Sequence, residues 1–467
     1  MAQGIRQAHF DVVVLGGGAS GVAAAAAAAK NGRKTLLVEA GSMLGGELLS
    51  GMSIDGLLNA RGEYVCGGIS DELLEECRRM NGFVGPIHDF RLICYVCVDP
   101  EVMKIAVMRV LERYGVTPWM YTLAEDVVSD GGRVKGLVVV NKGGRTLVTA
   151  DYFIDCSGDG DLAVMAGAPY ELGAPDGELQ PLSLMFRMSN VENEPLLAFA
   201  RDNPESLAVG ESDYIRAGRT DAQLAMELYK QGQPSVFFKS DGPFLEGAIE
   251  RGELAPTALI MIMPTSVARK EVCVNTTRVA ENIVGMDAAG VSRTMTTLME
   301  QVWGCSEFLK RKLPGFENAQ FAGLAPRIGI RETRRIMGDY VLTLEDAVGA
   351  KKHPDCIAKG AHHVDIHQDG VRQVRIAIGN GGSYDIPFQC LLPRQLDNVM
   401  VAGRCLSATR EGMGTARMMG PCMAMGQAAG TAAAMCIDKA LPDVRSLPIR
   451  ELQQRLREQG AVIDGVH

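Results

Sequence analysis

Residues 12–15 are Val-Val-Val-Leu, an apolar run without polar alternation, which predicts a strand buried on both faces. Gly16-Gly17-Gly18-Ala19-Ser20-Gly21 follows, and residues 22–30, nearly all alanine, predict a helix packed closely on that strand. Asn31-Gly32 stops the helix, and residues 34–38 return as a second apolar strand ending at Glu39. Amphipathic helices are predicted over 71–80 and 102–114, the second opened by Asp99-Pro100-Glu101. The period then shortens. Residues 122–129, 134–141 and 146–149 predict three strands, joined at Asp130-Gly131-Gly132 and Lys142-Gly143-Gly144 into a β-meander. A further apolar strand at 153–156 runs into Ser157-Gly158-Asp159-Gly160-Asp161 and a helix from 162.

From about 171 to 384 the texture is different. Strand-like segments (182–188, 258–263, 271–275) alternate with longer helical ones, notably 293–313. Residues 398–401 are once more a strand entering a glycine turn, Gly403-Arg404, and 418–437 predict a long helix rich in Ala, Gly and Met. The expected fold is α/β: a Rossmann-like, ββα-type dinucleotide domain with a parallel sheet and β-meander, built from 1–170 and 385–467. A mixed α+β domain, 171–384, is inserted into it.

Gly16, Gly18 and Gly21 fall at the positions of G-x-G-x-x-G. The first allows a tight turn, the second lets the backbone approach a pyrophosphate, and the third lets helix and strand pack closely. Glu39 stands eighteen residues beyond Gly21, where a carboxylate accepts from a ribose 2′-hydroxyl and repels a 2′-phosphate. The site should therefore prefer FAD or NAD to NADP. No second complete fingerprint exists; Gly379-Asn380-Gly381-Gly382 lacks a following helix, so a built-in nicotinamide domain is not expected.

Composition narrows the partners. The 467 residues are 47% hydrophobic and 22% charged, with a net charge of −9, which argues against nucleic acid or an anionic membrane. A small-molecule substrate is the default. The apolar stretches are short and glycine-broken, so no membrane span or secretion signal is expected. Twelve cysteines without a framework read as free thiols, and a cytoplasmic location is the simplest expectation. Cys94-Tyr95-Val96-Cys97 reads as core, because residues three apart on a strand face opposite ways.

These motifs resemble the FAD-dependent oxidoreductases of the two-domain, glutathione-reductase-like superfamily, and more narrowly a bacterial family distantly related to fumarate reductase flavoproteins. The resemblance spans roughly 10 to 460. It rests on the first glycine turn with Glu39, Leu44-Gly45-Gly46, Asp155 to Asp161, Ile330-Arg331-Glu332-Thr333-Arg334-Arg335, Asp365-Ile366-His367, and Val401-Ala402-Gly403-Arg404 with Gly426-Gln427-Ala428-Ala429-Gly430. It implies an FAD-binding domain with a substrate or cap domain. The implied FAD contacts are Gly16, Gly18, Ala19, Ser20, Gly21, Glu39, Ala40, Gly45, Gly46, Ser157, Gly158, Asp161, Gly403 and Arg404, together with the segment Met413 to Met418, within it Gly414, Thr415 and Ala416.

Three candidate sites remain for the chemistry. Arg331, Arg334 and Arg335 form the densest basic cluster, and Arg404, Arg410 and Arg417 gather around the late glycine motif. Their guanidinium forks suit a carboxylate or an ion pair with Glu332, Asp339 or Glu411; Arg331 and Arg404 are chosen for substrate or cofactor contact. His363, Asp365 and His367 alternate, so a strand puts them on one face, as a metal site, an acid/base group or a structural polar face. The resemblance favours His367 as the acid/base residue, with no resident metal. Five methionines near 413–425 read as core filling. The expected activity is hydride transfer between the flavin and a small polar substrate, of which carboxylates fit the arginines. A flavin monooxygenase and a flavoprotein subunit of a larger redox complex stay open, as do an electron-transfer partner and a homo-oligomer.

Overall fold

The computed structural model describes residues 5–279, 281–368 and 371–467. Its first layer is a five-stranded, wholly parallel sheet in the order Val399–Val401, Tyr152–Asp155, Val12–Leu15, Thr35–Val38, Thr117–Trp119. Val12–Leu15 and Thr35–Val38 are buried at every position, as their unbroken apolar runs require. The meander forms a second sheet in which Leu123–Asp130, Arg133–Asn141 and Gly144–Thr149 pair antiparallel, and Arg6–His9 adds a parallel edge. The expected strands and turns of this region agree to within a few residues.

Helix Ala19–Lys30 packs against Met419–Asp438, and small side chains set how closely. A Cβ on Gly426 would lie 2.0 Å from the Ser20 carbonyl oxygen, and one on Gly430 would lie 2.1 Å from that of Ala24. The two backbones touch. We therefore expect Gly426→Val to cost at least about 3 kcal/mol, because overpacking a backbone contact cannot be relieved by a rotamer change. Denaturant unfolding would measure it; a variant as stable as the parent would contradict this packing.

The second core surrounds a five-stranded antiparallel sheet ordered Val236–Lys239, Leu259–Ser266, Glu271–Asn275, Phe186–Ser189, Gln320–Leu324. Helix Ala288–Lys312 covers it with Leu298, Val302, Phe308 and Leu309. The strand expected over 182–188 begins only at Phe186; Ser183 before it is tied to Gly329 by an isolated bridge. Leu342, Ala347, Ile357, Val364 and Tyr384, which the expected division puts in the inserted segment, pack in the first core. Their apolar faces cover the Met419–Asp438 helix, and this carries the hairpin Val364–His367/Gln373–Ile376 to the seam between the cores.

All twelve cysteines are free and buried. Cys94 and Cys97, on one strand, point into different cores. Among the described residues no helix is long and apolar enough to cross a membrane, and no group of three or more His, Cys, Asp or Glu side chains is disposed to hold a metal ion.

Candidate active site

The seam holds a cavity of about 430 Å³ that runs from the first glycine turn to the Val364–His367 strand. At its dinucleotide end the chain leaves Val12–Leu15 through Gly16, whose φ of +94° no ordinary residue adopts easily. Gly18 precedes helix Ala19–Lys30 without any side-chain cap, and the first turn carries no acid. The free amides of that turn and the positive end of the helix thus face the cavity, lined by Gly16, Gly18, Ala19 and Ser20. Gly21 is not on the wall. Its Cβ would meet the Gly16 carbonyl at 1.7 Å, so it is the packing glycine. Glu39 and Ala40 line the cavity beside Thr122 and Leu123. Glu39 Oε2 accepts from the Gly17 amide and Oε1 from the Gly41 amide, each at 2.7 Å. Each oxygen keeps acceptor capacity for a ribose hydroxyl.

The second glycine turn is organised by a buried carboxylate. Asp155 accepts from the Ser157 amide at 3.0 Å, the Ser157 hydroxyl at 2.6 Å and the Ala163 amide at 3.0 Å. Ser157, Gly158 and Asp161 reach the cavity, and so does Arg404. Arg404 donates to Asp159 Oδ1 at 2.8 Å and to Thr333 Oγ1 at 2.6 Å, while Arg334 pairs with Asp161. Arg404 is therefore a strut of this turn as well as a lining residue.

Several expected contacts stand behind the wall. Gly45 donates to the Gly17 carbonyl at 2.7 Å, and a Cβ on Gly46 would lie 2.8 Å from Gly18 Cα. Gly403 backs onto Ser20, where a Cβ would lie 2.6 Å from Oγ. Gly414, Thr415 and Ala416 are buried in helix Arg410–Ala416; Thr415 donates to the His362 carbonyl at 2.5 Å. Arg417 and Met418, just beyond that helix, do line the cavity.

The far end is rich in arginine. Arg331 donates to the Pro181 carbonyl at 2.7 Å, its one hydrogen bond among the described residues, and it lines the cavity. Burial, and then neighbouring Arg417, bring its guanidinium down to about 10, so it stays charged at neutral pH. Arg91, Arg327 and Arg417 border the same space. Arg335 and Arg410 are spent on Glu332, and Asp339 pairs with Arg445.

Asp365 and His367 meet at 2.9 Å, His367 Nε2 to Asp365 Oδ2, and Arg417 lies 3.5 Å from the same oxygen. The Gln373 side-chain nitrogen lies 2.7 Å from His367 Nδ1. An ionised carboxylate only accepts, so Nε2 carries the proton and Nδ1 takes the Gln373 amide. Burial, with Arg331 and Arg417 acting in the same sense, holds His367 down to about 3; the ring is neutral. Both ring nitrogens of this expected acid/base residue are thus engaged by the protein. His363 does not join the pair; it is stacked on His362 at 3.9 Å between ring centroids.

The sequence alone did not single out several ionisable groups on this wall, among them Arg91, Arg327, Asp55 and His362. Asp55 sits in Ser53-Ile54-Asp55-Gly56, and a lone carboxylate in an apolar, glycine-flanked stretch was the available signal. His362 was masked by the alternation that begins at its neighbour.

The FAD that the resemblance implies fits this cavity on one observation. A Cβ on Gly18 would meet nothing within 4 Å, which leaves an open cradle directly over uncapped helix amides. Gly16, Gly18, Ala19 and Ser20 would hold its pyrophosphate and Glu39 its ribose.

Residues 11–456 match the family model described as FAD dependent oxidoreductase. No curated protein matches the chain. Among solved structures the chain is similar to a geranylgeranyl bacteriochlorophyll reductase-like protein from Thermoplasma acidophilum. The identity is 14%, 97% of this chain and 84% of that one are covered, and the TM-score is 0.47. It is also similar to p-nitrophenol 4-monooxygenase from Pseudomonas putida, at 12% identity over 96% of this chain and 84% of that one, with a TM-score of 0.45. A flavin-dependent brominase is similar at 13% identity over 97% and 83%, with a TM-score of 0.46. The match over residues 11–456 makes this chain a member of the FAD dependent oxidoreductase family, a flavoprotein oxidoreductase whose cofactor is FAD.

Proposed function

We propose that this oxidoreductase moves a hydride between the flavin and a small polar substrate that carries a carboxylate. The observation that carries the reading is Arg331, a charged guanidinium lining the far end of the cavity whose one hydrogen bond among the described residues is to the Pro181 carbonyl. A guanidinium in that position binds a carboxylate in bidentate fashion, and Arg417 and Arg91 add to the positive field. When bound, FAD supplies the hydride chemistry; the chain supplies binding, orientation and electrostatics. Asp365, ionised and shared between His367 and Arg417, keeps the Arg417 guanidinium beside the cavity. The motifs from Gly16 to Gly430 support keeping the chain with the two-domain, glutathione-reductase-like flavoproteins and their fumarate reductase relatives.

The test is anaerobic. FAD-loaded protein mixed with a panel of hydroxy, amino and unsaturated carboxylates should lose its visible flavin band with at least one of them. In the reverse direction the photoreduced protein should regain it. A panel in which only uncharged sugars or alcohols act would overturn the carboxylate. Rapid NAD(P)H consumption with peroxide release, and no response to any carboxylate, would point to a monooxygenase instead.

A further inference from the structure

A hydride that leaves an alcohol or amine carbon leaves a proton behind on oxygen or nitrogen, and that proton needs a base. His367 offers none in this geometry, since Asp365 and Gln373 occupy both ring nitrogens. Asp55 and His362 share the same cavity wall and are placed differently.

Asp55 is 6% exposed and His362 4%. The His362 Nδ1 lies 2.6 Å from the His363 carbonyl oxygen, an atom that only accepts, so the proton of the neutral ring is on Nδ1. Nε2 is then a bare acceptor. It faces Asp55 Oδ2 at 3.6 Å. The other oxygen of that carboxyl, Oδ1, takes the Ser53 hydroxyl at 2.7 Å, which leaves Oδ2 as the oxygen able to carry a proton. The Gly420 amide donates to the Asp55 backbone carbonyl at 2.9 Å and pins the loop to the Met419–Asp438 helix. Thr415 donates to the His362 carbonyl and pins that segment to helix Arg410–Ala416.

We propose that Asp55, seated beside His362 as a pair on the cavity wall, takes up the proton released as the hydride leaves the substrate. In that step the substrate C–H bond breaks with its electron pair going to the flavin as hydride. The neighbouring O–H or N–H bond breaks with its proton going to Asp55, and a C=O or C=N bond forms. Run backwards, Asp55 returns the proton. No further oxidant or reductant is needed beyond the flavin of the established activity. The proposal rests on the hydride-transfer reading above.

The surroundings decide where the pair titrates. Burial pushes the Asp55 carboxyl up to about 7; Ser53 opposes this, Asp89 and Asp365 add to it, and Arg417 opposes it. Tyr95 and Cys97 of the facing strand are also within its field, both with pKa values raised by burial. Burial brings His362 down to about 4, against Asp365 and the His363 carbonyl and with Arg417 and Arg91. Between about pH 4 and 7 Asp55 therefore carries a proton in addition to the one on His362 Nδ1, and above about pH 7 it does not. As a base it works when empty, so substrate oxidation should quicken as pH rises through about 7, and the reverse reaction should slow.

Infrared difference spectra of the FAD-loaded protein across neutral pH test the pair without any substrate. A protonated carboxyl band should be present at low pH, vanish near pH 7, and be absent from Asp55→Asn. His362→Gln should keep that band, because Asp55 remains. Stopped-flow flavin reduction by an active carboxylate then tests the role. Asp55→Asn should lower the limiting rate about 100-fold with little change in KM and should lose the limb near pH 7. A band unaffected by Asp55→Asn, or reduction at the parental rate with the limb intact, would overturn the proposal. Should no carboxylate act, the hydride-transfer reading fails while the infrared result still judges the pair.

Discussion

Gly18→Val should fold like the parent and bind FAD at least about 100-fold more weakly. The expectation follows from two facts about one residue. Gly18 has φ −74° and ψ −168°, an extended conformation that valine adopts freely, and a Cβ there would meet no atom within 4 Å. Replacing a glycine N-cap by a β-branched residue costs the helix about 1 kcal/mol, too little to unfold the chain. The new side chain would occupy the space over the Ala19 and Ser20 amides. Gly21→Ala behaves oppositely, since its Cβ would lie 1.7 Å from the Gly16 carbonyl and must break the turn. Comparing the two variants by thermal unfolding and FAD titration separates a glycine kept for the cofactor from one kept for packing. A Gly18→Val protein with parental FAD affinity would remove the pyrophosphate from this helix.

Arg331→Met should keep its FAD and lose about 100-fold in kcat/KM toward carboxylated substrates. That factor corresponds to about 3 kcal/mol, the scale of a charge-assisted contact made by a guanidinium fork in a partly buried site. Methionine keeps most of the apolar bulk and removes the charge and the donors. The loss should be smaller for an amide or ester of the same substrate, because that compound had less to gain from the fork. Equal losses for the acid and its neutral analogue would mean that Arg331 shapes the site without holding the anion. Arg335 and Arg410, committed to Glu332, make suitable contrasts, as their substitution should cost stability first.

The parts of this molecule that were legible in the sequence are those governed by local rules. Val12–Leu15, the alanine helix and Thr35–Val38 announce themselves because a buried parallel strand, a close helix contact and an acid at the next strand end each restrict residue type at fixed spacing. The meander was readable from its two Gly-Gly turns. Cys94 and Cys97 were readable as core, since their strand sends them to opposite faces.

Residue types alone could not say what each side chain would be used for. Glu39 is visible as an acid, yet nothing in the chain shows that both its oxygens also brace Gly17 and Gly41. The alternation at 363–367 is visible too. That Gln373 closes His367 from the next strand depends on hairpin register, which the sequence leaves open. Asp55 and His362 meet only because one loop is pinned to helix Met419–Asp438 and the other to helix Arg410–Ala416. Long-range pinning of that kind has no periodic signal. Nothing in the composition of residues 342–384 tells which core their apolar side chains join, so the sequence could not assign them.

One cavity, running from Gly18 to Arg331, is expected to hold the FAD along its length. A crystal structure of the FAD-loaded protein tests it most directly. The adenosine ribose should lie at Glu39, the pyrophosphate over the Ala19 and Ser20 amides, and the isoalloxazine ring at the end bordered by Arg331 and Met418. Flavin density elsewhere, with the Gly18 cradle filled by solvent, would contradict it.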